Sequence, residues 1–284
     1  MNLKNQVVVV FGGGRGIGKA IAHACAKNGA KVALAARTLP EVEEVASELR
    51  RSYDTRVLAL ACDVASYEQV NNLIEETEKS LGPVQGMVCA AGIYGAIGPV
   101  DETSPEVWRQ AIEVNLIGTF NCIHASVKSM KKRRSGQIVL FSGGGQGAIP
   151  NFSSYTASKG GIWRLTETVG AELEPFGIYV NAIAPGLVNT RFLDDLLVAG
   201  EEKVGRDLYQ KSVKQKQEGG IPPEQAADLV LYLLSGESKN LSGKILSARW
   251  DDYRSIRDFD AVNKSDLYTA KRVVSADGGT RPVS

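Results

Sequence analysis

A short apolar run that leads directly into a cluster of glycines is the feature that most constrains the fold of this chain. The run ends at Phe11, and the segment Gly12-Gly13-Gly14-Arg15-Gly16-Ile17-Gly18 follows it. Glycines at such a turn let the backbone approach a pyrophosphate, and the N–H groups of the following helix point toward its charge. We therefore predict a strand, a phosphate-binding turn and a helix; the alternative is an ordinary tight turn in a βα unit.

Further apolar runs alternate with amphipathic stretches along the chain. The predicted strands, each rich in Val, Ile, Leu or Ala, are Gln6–Phe11, Lys31–Ala36, Arg56–Ala61, Met87–Ala90, Gln137–Ser142 and Tyr179–Ala184. Continuous apolar strands suit a parallel sheet that is covered on both faces. We therefore predict an α/β fold with a single domain: a doubly wound, Rossmann-type parallel sheet with helices on both faces.

Two regions interrupt this alternation. Residues 187–221 mix Leu and Phe side chains with charges, and we predict a substrate lid there. Residues 247–284 form a tail of 38 residues, for which a small appendage, a lid and an oligomer arm are all open. We accordingly expect a nucleotide-binding catalytic domain over residues 1–246 and a carboxyl-terminal extension over residues 247–284.

Composition argues against several classes of protein. Lys and Arg number 33 against 32 Asp and Glu, so no basic field is present to bind nucleic acid. No stretch approaches the ~18 apolar residues of a membrane span, and the start has no secretory signal. The four cysteines have no CxxC spacing, so we expect free thiols and a cytoplasmic location. The two histidines lack metal-ligand neighbours, and we predict no metal.

Residues after the second and third predicted strands bear on the identity of the nucleotide. An acidic residue after the second strand would bind the ribose of NAD, but Arg37 and Thr38 stand there. Arg37, with Arg15 of the glycine turn, suits a ribose 2′-phosphate and favours NADP over NAD, unless either arginine is only a surface residue. Asp63, after the third strand, could accept a hydrogen bond from adenine or could cap the turn.

Three side chains form a candidate catalytic group. Tyr155 and Lys159 are four positions apart and would share one face of a helix. An ammonium beside a phenol lowers the phenol pKa from about 10, which permits proton transfer near neutral pH. Ser142 lies thirteen positions before Tyr155, at the end of the fifth predicted strand. Because ligands bind at the carboxyl ends of such strands, we expect Ser142 to donate a hydrogen bond to a substrate oxygen.

With these motifs, residues 4–246 resemble the short-chain dehydrogenase/reductase family, in its shorter-chain branch. The matching segments are the Gly12/Gly16/Gly18 turn, Asp63-Val64, Ala91-Gly92, Val114-Asn115, Ser142, Tyr155-x-x-x-Lys159 and Asn181-x-x-x-Pro185-Gly186 with Thr190. The resemblance implies that Tyr155 is the general acid/base and that Ser142 polarises the carbonyl. It also implies that Lys159 binds the nicotinamide ribose and that Asn115 holds a water of a proton relay. An Asp277-Gly278-Gly279 segment matches the usual family ending, by insertion or by chance.

The resemblance and the turn together predict the cofactor contacts. The residues expected to contact the cofactor are Gly12, Gly14, Arg15, Gly16, Ile17, Gly18, Arg37, Thr38, Asp63, Val64, Ala91, Gly92, Tyr155, Lys159, Pro185, Gly186, Val188 and Thr190. Residues Ile93-Tyr94, the loop Gly143–Phe152 and the lid should line the substrate pocket, with Leu193, Leu196 and Leu197 either facing it or packing as a surface helix.

We therefore predict an NADP-dependent oxidoreductase that transfers a hydride between nicotinamide and the carbonyl or secondary alcohol of a small molecule. A β-ketoacyl thioester, a steroid-like ketone, a polyol and a sugar derivative all remain open as substrates. The alternatives are a non-catalytic nucleotide-binding or redox-sensing protein on the same fold, or a sugar-nucleotide-modifying enzyme. The family also implies a homodimer or homotetramer, with the helices over residues 115–133 and 155–176 as candidate interfaces.

Overall fold

A seven-stranded parallel sheet forms the centre of the molecule in a computed structural model that describes residues 1–143 and 147–270. The strands are β1 (Val7–Phe11), β2 (Lys31–Ala36), β3 (Val57–Ala61), β4 (Val84–Cys89), β5 (Gly136–Phe141), β6 (Ile178–Ala184) and β7 (Ile245–Ser247). Their order across the sheet is β3-β2-β1-β4-β5-β6-β7, so the direction of winding reverses between β1 and β4. This topology confirms the predicted doubly wound sheet.

Helices cover both faces of the sheet, as predicted. They are α1 (Gly16–Lys27), α2 (Leu39–Ser52), α3 (Tyr67–Leu81), α4 (Pro105–Ile112), α5 (Gly118–Arg133), α6 (Ser153–Leu173), α7 (Arg191–Ala199), α8 (Glu201–Val204), α9 (Arg206–Glu218), α10 (Pro223–Leu234) and α11 (Phe259–Lys264). One apolar core joins the sheet to α1, α2 and α10, and a second core joins the opposite face to α3, α5 and α6. Alternate side chains of each strand enter the two cores, which is why the strands are apolar throughout.

One strand differs from its predicted bounds by more than one residue, and one strand was not predicted. The strand β4 begins at Val84, whereas the apolar pattern predicted a start at Met87, because Gln85 and Gly86 interrupt the apolar run. Gln85 is nevertheless accommodated, since its Oε1 accepts a hydrogen bond of 2.7 Å from the N–H of Val7. A Cβ at Gly86 would lie 3.0 Å from the side chain of Leu234, so glycine lets α10 pack closely on the sheet. The strand β7 spans three residues, which is too short for a periodicity to reveal.

The two ends of the region 187–221 lie side by side in the structure. Val188 forms a parallel bridge with Ile221, and the N–H of Ile221 donates to the carbonyl of Leu187 at 3.0 Å. The helices α7, α8 and α9 lie between these two residues and form an excursion from the sheet. Two positive-φ glycines, Gly219 (φ 98) and Gly220 (φ 57), return the chain to the bridge.

The carboxyl-terminal extension packs on the domain as far as residue 270. Tyr253 is buried, and its hydroxyl donates to Asp228 Oδ2 of α10 at 2.9 Å. The N–H of Ile245 donates to the carbonyl of Tyr268 at 2.9 Å, so the extension also covers the β7 edge. The N–H of Ala270 donates to Glu167 Oε1 of α6 at 2.6 Å. The segment Asp277-Gly278-Gly279 lies outside the described residues.

Candidate active site

A cavity of about 780 Å³ lies at the carboxyl ends of the strands, where the order of the sheet reverses. In open α/β sheets this position is the one where ligands bind. The cavity extends from the glycine turn after β1, past the start of α6, to the helices of the region 187–221. Its size is within the range of about 300–1,000 Å³ that is typical of small-molecule and cofactor sites.

The glycine turn brings the backbone so close together that side chains are excluded. A Cβ at Gly18 would lie 2.0 Å from the carbonyl oxygen of Gly12, and a Cβ at Gly12 would lie 2.7 Å from the amide nitrogen of Ala91. Gly12 and Gly16 also have φ of +80° and +52°. No side chain caps the start of α1, and its first turn holds no acidic residue. The first N–H groups of α1 are therefore open to an anion, which the helix dipole attracts.

Charged side chains surround the far end of this turn. Arg15 and Arg37 both line the cavity, and Arg37 makes no hydrogen bond or ion pair with any described residue. Arg15 Nη1 lies 3.9 Å from Glu41 Oε1, and Glu41 also lines the cavity. Asp63 Oδ1 accepts a hydrogen bond of 3.0 Å from the N–H of Ala65, so this carboxylate caps the turn after β3. This end of the cavity thus holds side chains of both charges, and the Arg37 guanidinium has no partner among residues 1–143 and 147–270.

The predicted cofactor residues come together. Each of the residues that the sequence assigned to the cofactor, from Gly12 through Thr190, lines this one cavity. Of the four predicted catalytic residues, Tyr155 and Lys159 line it, whereas Asn115 and Ser142 do not.

Tyr155 and Lys159 share a face of α6, but their electrostatics differ from the sequence prediction. The Lys159 side chain is buried, and Nζ donates to the carbonyl of Phe141 at 2.9 Å. Nζ lies 5.7 Å from the centre of the Tyr155 ring. Burial lowers the pKa of Lys159 to about 8 and raises the pKa of Tyr155 above its ordinary value. The expected lowering of the Tyr155 pKa is therefore not found: loss of solvent on burial raises this pKa, and the neighbouring Tyr94 raises it further.

Asn115 lies in a π-helical turn, Glu113–Ile117, between α4 and α5. Such turns are rare and are frequent at functional sites. Asn115 Oδ1 accepts from the N–H of Ile93 at 2.8 Å, and Nδ2 donates at 2.9 Å to the carbonyl of Ile93 and to Ser158 Oγ. Ser158 Oγ in turn donates to the carbonyl of Tyr155 at 2.7 Å. Asn115 thus connects the chain after β4 to the first turns of α6, behind the cavity wall.

The structure does not bring Ser142 to the cavity. Phe141 and Gly143 line the cavity, and Ser142 between them is 1% exposed. Its Oγ donates to the carbonyl of Ile183 on β6 at 3.5 Å, which is a long hydrogen bond. The reason is the alternation of side chains along an extended segment, which sends the middle residue of three away from the face that its neighbours share. The catalytic role of Ser142 therefore stays a prediction.

Several lining residues carry no motif in the sequence. These residues include Glu41, in the first turn of α2, Ser247, the last residue of β7, and Trp250, three residues after it. The rule that ligands meet strand ends would have indicated Ser247 and Trp250 if β7 had been predicted. Gln215 of α9 also lines the cavity, and its Oε1 is buried without a hydrogen-bond partner among the described residues.

Among residues 1–143 and 147–270, no group of three His, Cys, Asp or Glu side chains is arranged to hold a metal ion. Within the same residues, no helix has the length and apolar character needed to cross a membrane.

Sequence and structure comparisons find similarity to dehydrogenases and reductases. The sequence model of a family described as short chain dehydrogenase matches residues 6–198. The chain is 37% identical over 244 residues to the 3-oxoacyl-[acyl-carrier-protein] reductase of Bos taurus, covering 85% of this chain and 95% of that protein. The structure of an NAD⁺-bound xylitol dehydrogenase superposes with a TM-score of 0.79 at 26% identity, covering 87% and 98% of the two chains. An actinorhodin polyketide ketoreductase with NADPH superposes with a TM-score of 0.76 at 28% identity, covering 85% and 95%.

Proposed function

Since the chain belongs to the short-chain dehydrogenase/reductase family, we propose that it is an NADP-dependent oxidoreductase in which Tyr155 transfers the proton between enzyme and substrate oxygen. The family acts on CH–OH and C=O groups of small molecules with a nicotinamide cofactor. One observation carries the proposal: Tyr155 and Lys159 line the same cavity as the glycine turn. The non-catalytic and sugar-nucleotide alternatives are not favoured, because the relatives are named dehydrogenases and reductases.

The residues of the cavity fit a dinucleotide. The open N–H groups at the start of α1 suit a pyrophosphate, and the glycine turn leaves no Cβ in its way. A Cβ at Gly92 would lie 3.3 Å from Asn115 Oδ1, so glycine lets the chain after β4 pack closely against Asn115. Pro185, Gly186, Val188 and Thr190 would hold the nicotinamide end. When bound, the nicotinamide supplies the hydride chemistry, and the protein supplies position and proton transfer.

The choice of NADP over NAD rests on Arg37. Its guanidinium is unpaired among the described residues, and a ribose 2′-phosphate would give it a charge-assisted partner. Arg15 would be a second partner, although Glu41 lies 3.9 Å from it and would compete. Glu41 is also the side chain that would accept hydrogen bonds from an unphosphorylated ribose, so it is the main reason to test both cofactors.

Proton transfer in the carbonyl-reducing direction starts from the Tyr155 hydroxyl, which donates to the substrate oxygen. The raised pKa of Tyr155 keeps the phenol protonated before reaction. Lys159, charged below its pKa of about 8, stabilises the phenolate that remains. We assign Asn115 a supporting role: both of its amide atoms hold backbone and Ser158, and it thereby fixes the start of α6 on which Tyr155 stands.

The surrounding regions have proposed roles of their own. Residues 187–221 would cover bound substrate, because Leu193 and Leu196 of α7 line the cavity. We propose a homodimer or homotetramer through α5 and α6, since Ile117, just before α5, and Phe120 of α5 are about half exposed, at 46% and 48%. The four free, buried cysteines fit a reducing cytoplasm.

The test is cofactor oxidation in the presence of carbonyl compounds, measured with NADPH and with NADH. We expect turnover with NADPH and a KM for NADPH that rises about 10- to 100-fold in Arg37→Ala, while the KM for NADH is unchanged. Arg51→Ala is the matched control, because Arg51 is an exposed arginine of the helix α2 that follows Arg37, does not line the cavity and has no hydrogen bond or ion pair with any described residue. If the parent enzyme and Arg37→Ala each used NADPH and NADH with equal kcat/KM, the assignment of NADP would be contradicted.

A further inference from the structure

Aromatic rings surround Tyr155 on the substrate side of the cavity. The ring of Tyr94 lies 5.0 Å from that of Tyr155, 4.3 Å from Phe192 and 5.3 Å from Phe152, centre to centre. The rings of Tyr155 and Phe192 are 5.9 Å apart. All four residues line the cavity, and they come from three elements: the chain after β4, the start of α6 and α7. We call these four side chains the aromatic wall.

Aliphatic side chains complete this half of the cavity. They are Ile149, Leu193, Leu196 and Leu208, and all of them line it together with the aromatic wall. Leu196 and Phe152 belong to a small buried cluster on which Tyr94, Ile149 and Leu208 pack, separate from the two cores of the sheet. The substrate side is therefore apolar over surfaces contributed by the lid as well as by the domain.

The polar groups on this side are largely used within the protein. The Ser212 hydroxyl donates to the carbonyl of Leu208 at 2.8 Å, and Lys159 Nζ donates to the carbonyl of Phe141. Arg191 is 3.9 Å from Asp195, and its side chain is mostly exposed. Among the described residues, the hydroxyls of Tyr94 and Tyr155 form no hydrogen bond. A ligand here thus meets two phenolic hydroxyls, on rings that lie 5.0 Å apart, the buried Oε1 of Gln215, and otherwise the apolar side chains of the aromatic wall and its aliphatic neighbours.

This distribution discriminates between the substrates that the sequence leaves open. A polyol or sugar would bury several hydroxyls against rings and leucines that offer them no partner, and each unpartnered hydroxyl is costly. An apolar ring would instead pack against the wall and exclude water from Tyr155. A carbonyl needs one or two donors, which is what Tyr155 and Tyr94 can provide.

We propose that the substrate is an uncharged ketone, or the matching secondary alcohol, whose reactive carbon belongs to an apolar ring. The proposal rests on the proposed oxidoreductase function and adds the class of substrate to it. Phe192 is the specificity-determining residue in this proposal, because it contacts both tyrosine rings and is carried by the lid.

Two matched pairs of ketones test the proposal with purified enzyme and NADPH or NADH. Cyclohexanone and scyllo-inosose share a six-membered ring and differ in five hydroxyls. The corresponding open-chain pair is 2-hexanone and the open-chain keto form of fructose, with kcat/KM for fructose calculated from the concentration of that form. We expect kcat/KM for cyclohexanone to exceed that for scyllo-inosose by more than about 100-fold, since one added hydroxyl alone can cost about that much. We expect cyclohexanone to exceed 2-hexanone as well.

The outcomes separate this proposal from the function on which it rests. Preference for scyllo-inosose or fructose would leave the oxidoreductase assignment intact and overturn the apolar ring. Turnover of 2-hexanone in preference to cyclohexanone would do the same. Turnover of none of the four ketones with either cofactor would contradict both proposals.

Variants of the wall give a second readout. In Phe192→Ser, the ratio of kcat/KM for cyclohexanone over scyllo-inosose should fall at least tenfold, whereas Phe192→Leu should keep it within about threefold. Val198→Ser is the control on the same helix, because Val198 is 87% exposed and does not line the cavity. If Phe192→Ser does not fold, Tyr94→Phe still tests the wall: it keeps the ring and should not lower the ratio. An unchanged ratio in a folded Phe192→Ser, or a lowered ratio in Tyr94→Phe, would overturn the proposal.

Discussion

The cofactor half and the substrate half of the cavity are formed by different parts of the chain, backbone in the first and side chains in the second. The cofactor half consists mainly of backbone: the glycine turn, the open start of α1 and the ends of the strands. The substrate half consists of side chains, with rings and leucines from α6, α7 and the loops around them. A backbone site is specified by a few glycines close in sequence, whereas a side-chain site depends on how distant elements pack. The first can therefore be shared across a family while the second varies from chain to chain.

Tyr155 lies at the junction of the halves, and its loss should have the largest effect. Tyr155→Phe keeps the ring in the aromatic wall and removes only the hydroxyl that transfers the proton. We expect kcat to fall about 10³-fold, within the range for general acid–base groups. The affinity for the reduced cofactor, measured by the fluorescence of its nicotinamide, should be unchanged. Substantial turnover by this variant would refute the assignment of Tyr155.

The cofactor half should respond to a single methyl group. Gly18→Ala would place its Cβ 2.0 Å from the carbonyl oxygen of Gly12, so the turn must shift. We expect cofactor affinity to fall about 100-fold, as a displacement of about 1 Å can cost that much. Gly160→Ala is the control in another helix, because no atom lies within 4 Å of its added Cβ. The control should bind cofactor normally and gain up to about 1 kcal/mol of stability. Equal affinity in both variants would mean that the turn is not a phosphate site.

The charge on Lys159 predicts how the rate of carbonyl reduction depends on pH. Burial lowers its pKa from 10.5 to about 8, so the ammonium prevails below that pH and is lost above it. Carbonyl reduction should therefore fall by up to about tenfold per pH unit above this point. In Lys159→Arg the guanidinium stays charged, and the remaining activity should show no inflection there. A profile of the parent enzyme that is flat up to pH 10.5 would contradict this role.

Ser142 should have the smallest effect of the residues compared. Because its hydroxyl lies outside the cavity and donates to Ile183, we expect Ser142→Ala to lower kcat/KM less than about tenfold. Removing a donor that stabilises the reacting oxygen costs about 10²–10³-fold. Ser126→Ala, which removes another buried hydroxyl bonded to a carbonyl, is the control. A loss of 10²-fold or more in Ser142→Ala alone would support the catalytic role that the family resemblance implies.

These contrasts also explain what the sequence could and could not predict. The sheet and the cofactor residues followed from local patterns, because an apolar strand and a glycine turn each act within a few residues. The position of Ser142 could not follow from spacing alone, since one step along an extended segment exchanges the two faces. The pKa of Tyr155 depends on how deeply Phe192 and Tyr94 bury it, and the partners of those rings lie far apart in the sequence.

The capping of β7 by residues 253–270 has a consequence for biosynthesis. The strands β1 to β3 are made first and can pair as soon as they leave the ribosome, because neighbours in the sheet are neighbours in the chain there. The β7 edge, by contrast, gains its partner at Tyr268 only when nearly the whole described chain has been translated. Ribosome-bound chains that end before residue 253 should therefore retain an uncovered sheet edge, and such edges are sites of self-association. Chaperone demand during synthesis would then be concentrated in the last stage of translation.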